Sequence, residues 1–193
     1  MAAILGGVQL AAMLDDPPDL PEPKSGFCPA QRNGTARAGT LYEETSAPYE
    51  GQGPHPVDVV PADSAVQRVE LPRAWRPGAD DAPPKAQLVA CVYQNTAYGT
   101  NERQCLYSHL PSSLTYSLSD TSDLGAGAVK VTLLKTSYAV RVYQAKTARP
   151  VGSFDMPGAA SCPARYKADS GGIIAQEPDP ERLRVGLRPY VLK

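Results

Sequence analysis

Four cysteines, Cys28, Cys91, Cys105 and Cys162, are the residues with the clearest chemical capacity in this chain. None forms a C-x-x-C, so the usual zinc and thioredoxin spacings are absent. An even number at wide spacing suits two disulfides in an oxidising compartment, and three pairings are open. The stretch "QLVACVYQNTAYGTNERQCLYSH", residues 87–109, reads as two adjacent strands of a hairpin with a cysteine in each. A local bond between Cys91 and Cys105 is therefore expected. Cys28 is left with Cys162, and their contexts, "FCPA" and "SCPA", match. By loop closure the short bridge would contribute about 3 kcal/mol and the long one nearer 5 kcal/mol. The competing state is four buried, reduced thiols in a cytoplasmic protein. Disulfide bonding would remove every thiolate that could attack a substrate or hold a metal.

The remaining reactive residue types do not assemble into a motif. "ADSGG", residues 168–172, resembles the nucleophile loop of chymotrypsin-like serine proteases. Only 23 residues follow Ser170, too few to complete such a barrel. His55 and His109 lack the surroundings of that family's histidine, and an Asp-Ser-Gly-Gly turn before the strand "GIIAQ" is the simpler expectation. Gly51-x-Gly53 could suggest a phosphate loop, but Pro54 and Pro56 remove backbone donors and forbid the helix such a loop needs. Zinc requires about four ligands with short local spacings, which two lone histidines do not supply. Asp80-Asp81 and Glu43-Glu44 are neighbours in sequence, and neighbouring side chains diverge rather than face each other across a cleft. Asp58, Asp155 and Asp169 are isolated. Asn33-Gly34-Thr35 is formally a glycosylation sequon, common by chance and without meaning in a bacterial host. No catalytic residue, metal or cofactor is assigned.

The elements that position these residues read as mostly β. "GPHPVDVVP" predicts an edge strand at Val57–Val60 between prolines. "AVQRVELP" shows partial alternation, and Trp75 in "RAWRPGADDAPP" is expected to cap the core. "AQLVACVYQ" is apolar on both faces, as a central strand must be. "VKVTLLKTSYAVRVYQAK" is the strongest β signal, and "TARP" turns it into "VGSFDM" as a hairpin. "DPERLRVGLRPYV" predicts a closing helix with Asp179 as N-cap, Pro180 at N1, and Leu183 and Leu187 on one face. Ten tyrosines against two phenylalanines suit half-exposed sheet faces, where the ring packs and the hydroxyl stays wet. The expected fold is α+β, mainly β: an antiparallel sheet, a short C-terminal helix and two disulfides.

Composition divides the 193 residues into an apolar segment (1–14), a Pro-rich linker (15–47) and a disulfide-stapled β-rich domain (48–193). Residues 1–14 as a helix would span about 21 Å, short of the roughly 30 Å hydrocarbon core. They read as an anchor remnant, a docking helix or a frayed tail, so membrane association through this segment is the expectation. The net charge of −1, with no basic run, gives no electrostatic footprint for nucleic acid.

The pieces Gly53-Pro54-His55-Pro56, Leu71-Pro72 with Trp75, Gln87-Leu88-Val89-Ala90-Cys91 and the Tyr143–Gly152 hairpin resemble a group of uncharacterised actinobacterial proteins. In that group a membrane-spanning helix or signal precedes a Pro-rich linker and this module. The resemblance covers roughly residues 48–193. It implies an extracytoplasmic location and two disulfides, and it implies no activity. This chain departs in its reduced N-terminal apolar segment and its long loop between Leu110 and Val129. The resulting expectation is a non-catalytic extracytoplasmic binding or accessory module with a protein partner; the alternatives are a secreted hydrolase-like enzyme or a small-ligand carrier or sensor.

Overall fold

A computed structural model of the chain describes residues 26–30, 32–37, 42, 46–62, 69, 71–77, 86–95, 101–109, 115–118, 128–167 and 172–193. These form nine strands and one α-helix. The strands are β1 (Val57–Pro61), β2 (Leu88–Gln94), β3 (Asn101–His109), β4 (Thr115–Leu118), β5 (Val129–Leu134), β6 (Ser137–Gln144), β7 (Pro150–Pro157), β8 (Arg165–Lys167) and β9 (Ile173–Ala175). The helix, α1, is Pro180–Val191. The fold is mainly β, with a short C-terminal helix and two disulfides, as the sequence predicts.

The strands divide between two sheets. The first runs β1-β2-β6-β7 and the second β8-β4-β3-β5-β9. Pairing is antiparallel except for β1 with β2 and β5 with β9, which are parallel. The expected β2–β3 hairpin does not form. Both edges of β2 are taken, by β1 and by β6, and β3 belongs to the second sheet between β4 and β5. The long β signal of residues 129–146 is likewise two strands in two sheets, and the chain crosses between them at Lys135 and Thr136.

That crossing is held by hydrogen bonds. Thr136 N–H donates to Gln176 Oε1 at 3.2 Å, and Gln176 N–H to Leu134 O at 3.0 Å. Gly158 N–H donates to Thr136 O at 2.8 Å, and Ala159 N–H to Glu177 O at 2.7 Å. The segments leaving β5, β7 and β9 are thus pinned at one junction, where unpaired backbone groups would be costly.

The first sheet is covered on both faces, which explains the apolar β2. Leu88, Ala90 and Val92 pack with Val57, Val140, Val142, Trp75 and the helix residues Leu183, Leu187 and Val191. Each of those three helix residues is fully buried and contributes about 2 kcal/mol. Asp179 caps the helix, accepting from Glu181 N–H at 2.9 Å and Arg182 N–H at 3.1 Å, and Pro180 follows at the first turn. On the opposite face Val89, Cys91 and Tyr93 meet Phe27, Ala36 and Tyr42. Phe27 and Ala36 lie within the stretch that reads as linker by composition, yet both are buried. The second sheet has a smaller core of Cys105, Tyr107, Val131 and Leu133.

Several tyrosines go deeper than half-exposed faces. Tyr107 and Tyr138 are fully buried, and their hydroxyls donate to the carbonyls of Pro163 (3.0 Å) and Gln176. Tyr93 donates to Pro29 O at 3.0 Å. Such rings fill the core because each hydroxyl replaces its water with a protein acceptor.

Candidate functional site

The cysteines pair differently from the expectation. Cys28 bonds Cys91 and Cys105 bonds Cys162, across 63 and 57 residues, and no cysteine is free. The local Cys91–Cys105 bond fails because its two strands lie in separate sheets. Cys91 turns to the face of the first sheet that the N-terminal segment covers, so Cys28 reaches it. Cys105 turns into the small core of the second sheet, beside Cys162. Each sheet therefore carries one staple, anchored on a fully buried strand cysteine. By loop closure each bond contributes about 4 kcal/mol. Two such bonds point to folding in an oxidising, extracytoplasmic environment.

The other singled-out residues do not come together. His55 belongs to the first sheet's periphery, whereas His109 ends β3 in the second sheet, opposite Tyr116. Asp58 accepts a hydrogen bond from Tyr42 at 2.6 Å, and Asp155 is exposed on β7. Glu43-Glu44, Asp80-Asp81, Asp169 and Ser170 lie outside the described residues, as do residues 1–14 and most of "AVQRVELP". Among the described residues no three His, Cys, Asp or Glu side chains are grouped to hold a metal ion. No helix of the described residues is long and apolar enough to cross a membrane.

One cleft does gather polar groups. It lies between the loop of residues 49–55 and the β6–β7 hairpin, with a volume of about 510 Å³. Tyr49, Glu50, His55, Gln144, Val151 and Lys193 contribute to its lining. Backbone pairing fixes its walls. Gly53 N–H donates to Lys193 O at 2.9 Å and His55 N–H to Val191 O at 2.8 Å, tying the loop to the end of α1. Tyr49 adds a third tie, its hydroxyl donating to Tyr190 O at 3.0 Å. The Tyr49 ring meets the His55 ring edge-on at 4.5 Å between centroids, and Lys193 Nζ sits 5.6 Å from the Tyr49 centroid. Burial and the neighbouring Tyr190 raise the Tyr49 pKa above the ordinary phenol value.

His55 is 2% exposed. Its Nδ1 contacts Gln87 Oε1, an arrangement that suits Nδ1 as the donor. In the neutral ring this leaves Nε2 as an acceptor. Sequence reasoning left His55 as a lone surface or packing histidine and missed the cleft. The signal lay in Gly53-Pro54-His55-Pro56, a backbone too constrained to be an ordinary loop, whose partner at the chain's far end has no local signature.

Comparison of the chain with protein-family models, with curated proteins and with solved structures returned no match.

Proposed function

We propose that this protein is a non-catalytic binding or accessory module that works outside the cytoplasm, secreted or held at the cell envelope, with a protein partner. The observation that carries the reading is the consumption of all four cysteines in two staples, one for each sheet. Such bonds persist where the surroundings are oxidising and are rare where thiols are kept reduced. A rigid scaffold with a preformed cleft is suited to recognition. Residues 1–14 are the proposed means of membrane association.

The test is thiol accessibility combined with location. Intact cells of the native host are treated with a membrane-impermeant protease and, separately, with an alkylating reagent before and after reduction. The reading expects the protein to be cleaved on intact cells, with all four cysteines alkylated only after reduction. Protection from protease together with four thiols alkylated without reduction would overturn it.

A further inference from the structure

We propose that the cleft between the 49–55 loop and the β6–β7 hairpin binds a neutral saccharide. The proposal rests on the reading of the protein as a non-catalytic binding module and supplies a ligand class for it. At about 510 Å³ the cleft is within the range that accommodates a small ligand. Its lining combines hydrogen-bond acceptors, donors and apolar surface.

The acceptors are the Glu50 carboxylate and His55 Nε2. Gln87 engages Nδ1, so Nε2 is the ring nitrogen left for the cleft. Since His55 is almost wholly buried and forms part of the cleft lining, Nε2 is the polar atom it can offer there. The donors are the Lys193 ammonium and the Gln144 amide NH2, whose companion Oε1 already accepts from Thr147 Oγ1 at 2.6 Å. Tyr49 and Val151 supply the apolar surface.

A hydroxyl both donates and accepts, so a polyhydroxylated ligand can satisfy both sets at once. Its C–H faces can lie against Tyr49 and Val151. One carboxylate and one ammonium leave the lining without a preference for either sign of charge. A zwitterionic amino acid could use those two charges, yet it would leave His55 Nε2 and the Gln144 amide to water, whereas a ring of hydroxyls can engage them as well. The walls are ordered before the ligand arrives by the Gly53–Lys193, His55–Val191 and Tyr49–Tyr190 hydrogen bonds. Little conformational freedom then remains to be lost on binding.

The experiment uses the full, oxidised chain and ligand-observed NMR with titration calorimetry. The probes are cellotetraose, maltotetraose and chitotetraose, with free alanine as the zwitterionic comparison. At least one tetrasaccharide binds, and Val151→Trp, which fills the cleft, abolishes binding. Glu50→Ala and Gln144→Ala, both at positions away from the core, each weaken it about five- to tenfold. Circular dichroism establishes that each variant is folded. Failure of all three tetrasaccharides, binding of alanine alone, or tetrasaccharide binding that folded Glu50→Ala and Gln144→Ala leave unchanged would overturn the assignment. Any of these results combined with four oxidised cysteines would remove the ligand class while leaving the parent reading in place. Reduced thiols in a cytoplasmic protein would remove the parent reading whatever the saccharides do.

Discussion

Replacing Gly53 with alanine tests how the cleft loop is joined to α1. Gly53 does not have a left-handed backbone, so conformational freedom is not what this position requires. Space is the constraint. A Cβ here would overlap the Val191 carbonyl oxygen and lie 3.0 Å from Leu192 Cα, and backbone cannot swing aside as a side-chain end can. To make room, the loop must move away from residues 191–193. That motion breaks or lengthens the Gly53–Lys193 and His55–Val191 hydrogen bonds, 2.9 and 2.8 Å long. At a net contribution of roughly 1 kcal/mol each, their loss costs about 2 kcal/mol. Against this, alanine restricts the unfolded chain and returns about 0.5 kcal/mol. The balance is a loss of about 1.5 kcal/mol, which lowers a urea midpoint by roughly 0.5–1 M. Hydrogen exchange supplies a local readout, because the His55 amide should lose protection in Gly53→Ala well beyond the global change. A variant as stable as the parent, with the His55 amide still protected, would refute the proposed constraint.

Three further predictions concern other parts of the fold. Tyr93 is pushed up to about 12, first by burial and then by Tyr143, against an opposing effect of Arg141, and Tyr42 is raised further by burial and by Asp58. The folded state therefore holds these protons more tightly than the unfolded chain, so their contribution to stability is complete below pH 10 and is lost as pH rises beyond it. Absorbance and circular dichroism followed together should show the last phenolates appearing only as the fold is lost; full ionisation with the fold intact would contradict this. Ala148, at φ 54° in the β6–β7 turn, pays the left-handed penalty of a non-glycine residue, so Ala148→Gly should raise stability by about 0.5 kcal/mol in urea melts. Asp179→Ala removes the acceptor for Glu181 and Arg182 N–H and should cost about 1 kcal/mol in the same assay, whereas an unchanged midpoint would show the cap to be dispensable.

Local patterns in the sequence translated well into local structure. The helix was legible because Asp179, Pro180, Leu183 and Leu187 each carry a signal within one or two turns. The β6–β7 hairpin was legible because alternation and a turn adjoin, and β1 because prolines bracket an apolar run. Nonlocal pairing was not legible. Strand β2 shows that it is buried on both faces, but nothing in its residues says that β6, some fifty positions on, is its neighbour rather than β3. The wrong cysteine pairing followed from that one step, since proximity in sequence stood in for proximity in the sheet. Phe27 illustrates a related failure, because one aromatic ring in a Pro-rich stretch docks through a disulfide partner that composition cannot reveal. The cleft needed the same kind of information, as residues 49–55 pair with the far end of the chain through the Gly53–Lys193 and His55–Val191 hydrogen bonds.

The central claim is that each sheet carries its own disulfide. Proteolysis of the oxidised protein without reduction, followed by mass spectrometry of the linked peptides, measures this directly. The two sheets' separate staples should yield peptides joining Cys28 to Cys91 and Cys105 to Cys162, and none joining Cys91 to Cys105. A Cys91–Cys105 peptide, or four cysteines that alkylate without reduction, would contradict it.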